Sequence, residues 1–434
     1  MKRKSIEQLI KWQKSDNRKP LILKGARQVG KTWLMREFAN SFYESYAEFN
    51  FDKDVRLNSV FESTKDPFRI IEMLGIFAGR KIEPGKTLII FDEIQECPEA
   101  LNSLKYFNEE ANGYHVIAAG SLLGTMLAQP KSYPVGKVNL LKIYPLDFEE
   151  YLEAVDSNLY EYYKSIKIND IIPEVFHQIF LEHFNKYLIV GGMPECVDSW
   201  VNNRNIEEIE KKQKDLLALY ENDIAKHNGK INTGRILLVL RSIASQLGKE
   251  NEKFIYGALK SGGRAREFEE AIEWLVSAGL INRIYNVSKP EHPLPVMDIL
   301  DCFKLFWFDT GLIKQQAKVD NKAILTQDDY RFKGPLTENY ILQQLIGKFD
   351  VEPRYYCWKY GELDFVVQFG STIIPIEVKG GENKSAASFK SYIKKALPEY
   401  AIRFSKMNLM TNGNIINLPL YLAPRFSNLI SPVK

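Results

Sequence analysis

Residues 25–32 have the types and spacing that could best bind a phosphate chain. They read Gly-Ala-Arg-Gln-Val-Gly-Lys-Thr, a full match to GxxxxGK[ST], and they stand between a strand pattern at 20–24 and a helical pattern at 33–40. A phosphate-binding loop requires that context, because its backbone N–H groups and the helix N-terminus face the phosphate oxygens. We predict that ATP binds to this loop, through Gly25, Ala26, Arg27, Gln28, Val29, Gly30, Lys31 and Thr32.

Two carboxylates complete the predicted ATP site. Asp92 and Glu93 follow the apolar strand pattern at 87–91. We predict that Thr32 and Asp92 hold Mg²⁺ and that Lys31 contacts the β- and γ-phosphates as a catalytic group. Glu93 is predicted to orient the attacking water, which favours hydrolysis over phosphoryl transfer to a small molecule.

Three further polar residues are candidates around this site. Ser121 follows the strand pattern at 115–119, where a polar residue can sense the γ-phosphate; the alternative is a simple cap or turn. We predict that Ser121 is catalytic. Arg27 and Lys137 are candidates for charge stabilisation, which the sequence does not assign.

A second group of charged residues lies in the C-terminal quarter. Asp364 begins one predicted strand, while Glu377 and Lys379 end the next on one face of it. Glu338 lies on the preceding predicted helix. Such oxygen ligands suit Mg²⁺ or Mn²⁺, so Asp364 and Glu377 form a second predicted metal site, with Lys379 and Glu338 beside it, of a type that hydrolyses phosphodiesters. The alternative is charged strand ends without any such activity.

Composition narrows the class of protein. The 434 residues are 45% hydrophobic and 26% charged, typical of globular proteins, and the net charge is +3. Residues 335–434 carry 12 basic and 8 acidic residues, so any nucleic-acid contact is expected there. Four scattered cysteines, no signal-peptide pattern and no apolar run near 18 residues predict a cytoplasmic protein without a membrane partner.

The elements that position these residues divide the chain into four predicted domains. Strand and helix patterns alternate through residues 1–145, which predicts an α/β core with a parallel sheet. Residues 146–230 have helical patterns and form a predicted helical lid. Residues 231–295, with helices predicted at 235–247, 254–260 and 266–277 and a strand at 280–287, form a predicted winged helix. Residues 296–434 form a predicted α/β domain.

The third helix of the predicted winged helix argues against DNA reading. It would enter a DNA groove, yet it carries Glu267, Glu269, Glu270 and Glu273. Carboxylates facing phosphates would repel them. Protein–protein packing is the expected role of this helix.

Several motifs together resemble one family. They are GARQVGKT, LIIFDEIQE, AAGSLLG, KIYPLDFEEYL, GGMPE, KLFWFDTGL, GELDFVV and IPIEVKG. The chain resembles prokaryotic AAA-type ATPases with a C-terminal Domain of Unknown Function 4143. The resemblance implies an ATPase core with helical lid, a winged helix and a restriction-endonuclease-like tail. It places the ATP site on residues 25–32, Asp92 and Glu93.

Two functional hypotheses follow. In the first, Mg²⁺-dependent ATP hydrolysis serves a nucleic-acid-associated activity of the nuclease-like tail, with DNA as partner. In the second, the protein is an ATP-dependent switch or scaffold that binds a protein partner, and its tail is inert. The basic tail and the Asp364–Glu377 pattern favour the first, whereas the acidic helix favours the second.

Overall fold

The computed structural model describes residues 1–120, 134, 136–249, 252–326, 329–349, 351–359, 361–380 and 387–430. The chain forms two compact units. The N-terminal unit comprises residues 2–144 and 277–279, and the C-terminal unit comprises residue 1 with residues 145–276 and 280–434. In the described ranges, no helix is long and apolar enough to cross a membrane.

The N-terminal unit is built on a five-stranded parallel sheet in the order β2-β3-β4-β1-β5. The strands are β1 Leu21–Lys24, β2 Ser45–Asn50, β3 Thr87–Asp92, β4 His115–Ala119 and β5 Asn139–Lys142. Every residue of β3 and β4 is buried, as expected of central parallel strands covered on both faces. The predicted α/β class with a parallel sheet is confirmed.

Helices cover this sheet, and aromatic side chains fill the space between them. The helices are Ser5–Gln13, Lys31–Phe42, Leu57–Ser63, Pro67–Ala78 and Pro98–Glu110. Phe91 of β3 lies edge-on to Phe61 and Phe107, with ring centroids 5.6 and 6.2 Å apart. This packing fixes the end of β3, which carries the predicted metal ligand Asp92 and is followed by the predicted catalytic residue Glu93.

The C-terminal unit begins with a run of helices. They are Phe148–Val155, Ser157–Ser165, Glu174–Val190, Pro194–Asn203, Ile206–His227 and Lys230–Leu247. The first starts at a capping box, in which Asp147 accepts from the Glu150 N–H and Glu150 accepts from the Asp147 N–H. Reciprocal capping of this kind fixes where a helix starts.

A glycine pair turns the chain after the helix Glu174–Val190. A Cβ on Gly192 would lie 2.2 Å from the Leu146 carbonyl oxygen, so no larger residue fits. Its N–H donates to Asp309 Oδ2 at 2.7 Å. Asp309 is fully buried and also caps the helix Thr310–Gln316 by accepting from the Leu312 N–H. The GGMPE and FDTGL motifs therefore meet in one buried junction.

An eight-stranded sheet forms the rest of this unit, in the order β12-β13-β11-β10-β9-β8-β6-β7. Its strands are β6 Ile281–Val287, β7 Asp298–Trp307, β8 Arg354–Trp358, β9 Gly361–Phe369, β10 Thr372–Val378, β11 Ala401–Ser405, β12 Met410–Asn412 and β13 Ile415–Pro419. The predicted domain boundary at residue 295 falls between β6 and β7, which pair antiparallel.

Further helices stand before, between and after these strands in the chain. They are Ala265–Ser277, Thr310–Gln316, Asn321–Leu325, Lys333–Lys348, Ala387–Ala396 and Phe426–Ile430. The helix Lys333–Lys348 is buried along most of its length, from Pro335 to Leu345. It therefore carries any polar side chain on those turns into the interior.

The helix predicted at residues 254–260 is wrong. Only the 3-10 turn Tyr256–Ala258 forms there. The Phe254 N–H donates to the Phe303 carbonyl at 2.9 Å, and Ile255 is extended. This attachment to β7 draws the chain out of a helix, because tertiary contacts override weak local propensity.

Two acidic residues of the helix Ala265–Ser277 form ion pairs with a basic residue of the sheet. Glu269 accepts from Arg283 Nη1 at 2.5 Å and from the Tyr256 hydroxyl at 2.7 Å. Glu273 also pairs with Arg283. Arg283 lies on β6, so these carboxylates attach the helix to the sheet.

Candidate functional site

The backbone of the loop at residues 25–32 has positive φ angles at three positions. Gly25 has φ 149° and Gly30 has φ 90°, both in the region that favours glycine. A Cβ on Gly25 would lie 2.3 Å from the Ile143 carbonyl oxygen. Gln28 also has a positive φ, of 67°. The loop therefore curls tightly before the helix Lys31–Phe42, with the shape expected of a phosphate-binding loop.

Lys31 lies folded over this loop. Its Nζ donates to the carbonyl oxygens of Gly25 at 2.9 Å and Ala26 at 2.8 Å. The residue is 8% exposed. Burial lowers the pKa of Lys31 to about 8, although the charges of Glu93 and Asp92 oppose that shift. The amine is thus held beside the loop in a place where charge is costly without a nearby anion.

Thr32 and Asp92 meet although 60 residues separate them in the chain. Thr32 Oγ1 donates to Asp92 Oδ2 at 3.1 Å. Asn50 Nδ2 donates to the same oxygen at 3.2 Å, across the register pair that joins β2 to β3. Burial, followed by the charge of Glu93, raises the pKa of Asp92. Both Thr32 and Asp92 present oxygen, the ligand type that Mg²⁺ prefers, so they fit the predicted metal.

Glu93 directly follows β3 in a left-handed conformation, with φ 51°. Such a backbone costs free energy for a residue with a side chain, and it is common at functional sites. Gln95 Nε2 donates to Glu93 Oε2 at 2.6 Å. Gln95 and Asn50 were not predicted from the sequence. Asn50 could have been found from its position at the end of the strand next to β3.

Two of the remaining candidates around the loop can be placed. Ser121 lies outside the described residues. Lys137 pairs with Glu109 at 2.8 Å, at the surface. Arg27 is partly buried within the loop, and its charge contributes to lowering the pKa of Lys31 after burial itself. Their catalytic roles stay predictions.

The C-terminal candidates converge. Asp364 accepts from the Val378 N–H at 2.6 Å, which holds its carboxylate beside the end of β10. Glu377 forms an ion pair with Lys379. Glu338 is 8% exposed and Glu377 is 2% exposed. Burial, then the charge of Asp364, raises the pKa of Glu377 to about 7, with Lys379 opposing the shift.

Lys304 lies among these charged residues, and no role for it was predicted from the sequence. Its Nζ contacts Glu252 Oε2 at 2.9 Å, Glu338 Oε2 at 3.9 Å and Glu362. Burial alone would lower the pKa of Lys304, but the three carboxylates raise it well above its ordinary value. We call Lys304, Glu252, Glu338 and Glu362, with Asp364, Glu377 and Lys379, the acidic cluster.

Lys304 and Glu362 form an ion pair although they lie on strands that are not neighbours. Strand β7 carries Lys304 and strand β9 carries Glu362, and β6 and β8 lie between them. Three strand spacings amount to about 14 Å between backbones, so the contact depends on two long side chains. Strand position along the chain therefore gave no signal for this pairing.

The acidic cluster contains carboxylate oxygens, but in the described residues they are not arranged to coordinate a metal ion. In the part of the chain that the structure describes, no three His, Cys, Asp or Glu side chains are grouped so as to hold a metal ion. The Oε2 atoms of Glu338 and Glu377 are buried without a hydrogen-bond partner. The metal role of Asp364 and Glu377 stays a prediction.

Relatives of this chain include proteins of archaea. It is 23% identical to an uncharacterized protein of Methanocaldococcus jannaschii over 228 residues, 52% of this chain and 46% of that protein. A second uncharacterized protein of that organism is 25% identical over 205 residues, 44% of this chain and 41% of its own. The chain thus spans less than half the length of these curated relatives. The Walker-type ATPase PABY2304 of Pyrococcus abyssi aligns with 73% of this chain and 95% of its own, at 15% identity and a TM-score of 0.46.

Three family models match separate segments. A model described as an AAA domain matches residues 17–152, which contain the loop, Asp92 and Glu93. Two models described as domains of unknown function match residues 181–323 (DUF8612) and 333–421 (DUF4143). The last segment contains Glu338, Asp364, Glu377 and Lys379. The predicted resemblance is confirmed: this chain carries an AAA domain in its N-terminal part and a DUF4143 domain in its C-terminal part.

Proposed function

We propose that the N-terminal unit binds ATP with Mg²⁺ and hydrolyses it. The observation that carries this proposal is the 3.1 Å hydrogen bond from Thr32 Oγ1 to Asp92 Oδ2. It brings together the loop hydroxyl and the strand-end carboxylate that the two sequence motifs predict as partners at one Mg²⁺. The match to an AAA domain over residues 17–152 supports the same function.

Each residue of the site then has a role. The loop N–H groups bind the phosphates, and the Lys31 ammonium exchanges its carbonyl partners for β- and γ-phosphate oxygens. Thr32 and Asp92 hold Mg²⁺, which offsets negative charge on the phosphates. Asn50 orients Asp92 by donating to Oδ2.

Glu93 is the proposed group that orients water. Its carboxylate is an acceptor next to the Asp92 shell, and Gln95 holds one of its oxygens. To orient the attacking water or to accept its proton, a carboxylate must be charged and within hydrogen-bond reach of the water oxygen. A water-activating acid favours hydrolysis over transfer to another acceptor.

Variants of Glu93 and Lys31 test this proposal. Glu93→Gln is expected to bind ATP with Mg²⁺ normally and to hydrolyse it at least about a hundredfold more slowly. Lys31→Ala is expected to lose both binding and hydrolysis. Glu96→Gln is the matched control, because Glu96 is exposed on the same turn. Parent-like phosphate release by both Glu93→Gln and Lys31→Ala would refute the site.

A second function is proposed for the C-terminal unit: Mg²⁺- or Mn²⁺-dependent cleavage of nucleic acid by a restriction-endonuclease-like domain. Its supporting observation is the convergence of Asp364, Glu377 and Lys379 with Glu338. Carboxylate oxygens would hold the metal ion, which can generate a nucleophilic hydroxide at a phosphodiester. Lys379 would offset charge on the phosphate.

The alternative proposal is a switch that binds a protein partner and has an inert C-terminal domain. Its support is the acidic helix Ala265–Ser277: Glu269 and Glu273 pair with Arg283 within the chain, and their carboxylates would repel nucleic-acid phosphates. A winged-helix role for residues 231–295 in DNA binding is accordingly not the one we propose.

Nuclease and stimulation assays separate the two. The protein is incubated with single- and double-stranded DNA and RNA, with Mg²⁺ or Mn²⁺, with and without ATP. Cleavage that Asp364→Ala and Glu377→Ala abolish supports the nuclease, and Glu352→Gln serves as a control at an exposed acid. No cleavage, no metal binding and no stimulation of ATP hydrolysis by DNA would favour the protein-binding switch.

A further inference from the structure

Lys304 stands at the meeting point of three carboxylates that come from separate parts of the chain. Glu252 lies between the helix Lys230–Leu247 and the 3-10 turn Tyr256–Ala258, Glu338 lies on the helix Lys333–Lys348 and Glu362 lies on β9. Their oxygens approach Lys304 Nζ from different elements, at 2.9 Å for Glu252 and 3.9 Å for Glu338. The Lys304 side chain is 2% exposed. The buried groups around it therefore determine the position of the Lys304 ammonium.

The charge balance around it is uneven. The acidic cluster contains five carboxylates, of Glu252, Glu338, Glu362, Asp364 and Glu377, and two ammonium groups, of Lys304 and Lys379. Burial raises the pKa of Glu338, Glu362 and Asp364, in each case as the largest cause. Buried carboxylates this close together require protons or cations.

One carboxylate oxygen at this point has no hydrogen-bond partner. Glu338 Oε2 is buried and lies 3.9 Å from the ammonium, beyond a normal hydrogen bond. The side chain carries it into the interior from a helix that is buried along most of its length. This oxygen faces a cation at 3.9 Å without accepting a hydrogen bond from it, so it is a ligand position that the ammonium does not fill.

We propose that the Lys304 ammonium is a resident cation in a site that Glu252, Glu338 and Glu362 form, and that removing its charge makes this site bind a divalent cation. All the ligands are carboxylate oxygens, which suit a hard ion such as Ca²⁺. While Lys304 is present, its charge repels such an ion, and no three carboxylates of the described residues are grouped so as to hold one. The site shares Glu338 with the predicted one at Asp364 and Glu377, but its other ligands are Glu252 and Glu362.

The neighbours of Lys304 restrict what else it could do. Its ammonium lies 5.0 Å from the centre of the Tyr355 ring, and the Tyr355 hydroxyl lies 3.3 Å from Cys302 Sγ. Ring and thiol are uncharged neighbours that offer a metal no strong oxygen ligand. The three carboxylates are therefore the ligand set of the proposed site.

The test replaces Lys304 with methionine, which keeps the stem and removes the charge. Isothermal titration with CaCl₂ on the nucleotide-free full chain is expected to show about one more bound ion per chain than the parent, with a Kd near ~0.1–1 mM. Lys314→Met is the matched control: Lys314 is 1% exposed but pairs with one carboxylate, of Glu210 at 3.6 Å. That variant is expected to gain no ion.

A second variant fixes the location. In Lys304→Met/Glu362→Gln the extra ion is expected to be lost, because one ligand is neutral. A folded Lys304→Met that binds no more Ca²⁺ than the parent overturns the proposal, as does an extra ion that the double variant retains.

Failure of Lys304→Met to fold would also be decisive. The variant is then refolded across a series of CaCl₂ concentrations. Recovery of folded protein by Ca²⁺, but not by matched NaCl, supports the proposal, and equal failure at every concentration overturns it. These readouts are independent of ATP hydrolysis and of nucleic-acid cleavage, so failure of either proposed function leaves them interpretable.

Discussion

Replacing Lys31 with methionine is expected to stabilise the N-terminal unit while abolishing ATP binding. Burial lowers the pKa of Lys31 from 10.5 to about 8. Such a fall corresponds to about 3 kcal/mol of free energy against the charged amine at pH 7. Methionine has a similar stem and no charge, so it removes this term.

Part of that gain is offset. Lys31 donates to the carbonyl oxygens of Gly25 and Ala26, and each lost hydrogen bond costs about 0.5–1 kcal/mol. The expected net increase in the free energy of unfolding is therefore about 1–2 kcal/mol at pH 7. The sign follows because the buried Lys31 donates to neutral carbonyls and the charges of Glu93 and Asp92 only partly offset its burial.

The pH dependence checks the cause. Because the folded-state pKa of Lys31 lies below the unfolded value, the unfolded chain binds more protons between pH 8 and 10.5. The stability of the parent relative to Lys31→Met therefore rises with pH in that window. The charge term favours the variant in full below about pH 8 and is lost near pH 10.5, where the missing hydrogen bonds leave the variant about 1–2 kcal/mol less stable than the parent.

Hydrogen exchange measured by mass spectrometry suits this test, because two compact units need not unfold together. Peptides from β3 and β4 report the free energy of opening of the N-terminal unit, in nucleotide-free buffer at pH 7 and at pH 9.5, with exchange times scaled for pH. Lower protection in Lys31→Met than in the parent at pH 7 would refute the reasoning. An advantage that grows with pH would refute it as well.

Three other predictions concern single groups. Asp92→Asn is expected to raise the Mg²⁺ concentration needed for ATP binding, measured by titrating Mg²⁺ against a fluorescent nucleotide; an unchanged midpoint would remove Asp92 from the metal site. Gly192→Ala is expected to destabilise the C-terminal unit by about 2–4 kcal/mol in urea unfolding, since its Cβ would overlap the Leu146 carbonyl. Gly234→Ala, in open space on a helix, is expected to stabilise by about 0.5–1 kcal/mol, and a loss there would contradict the propensity argument.

The convergence of the loop, Asp92 and Glu93 could be predicted from sequence because the parts of this candidate ATP site are local. The loop residues are consecutive, and Asp92 and Glu93 directly follow an apolar strand. Parallel strands bring such ends to one edge of a sheet, so two motifs give one site. Asn50 and Gln95 were missed because a lone amide carries no motif.

The acidic cluster could be predicted only in part, for the opposite reason. Asp364, Glu377 and Lys379 lie on two strands joined by a tight turn, and their meeting follows from hairpin geometry. Lys304 reaches Glu362 across two intervening strands, and the periodicity of the sequence does not encode which distant strands have two strands between them in the sheet. Likewise, the helix predicted at 254–260 failed because the contact of Phe254 with Phe303 is distant in sequence.

Lys31 and Lys304 show how partners decide what a buried ammonium can do. Lys31 donates to two neutral carbonyls, so burial dominates and the pKa falls to about 8. Lys304 meets carboxylates, so its pKa rises although burial opposes it. The first ammonium gains full compensation only when an anion such as a phosphate arrives, whereas the second is already compensated and excludes other cations. Identical side chains thus prepare one site for an anionic ligand and close the other to a metal ion.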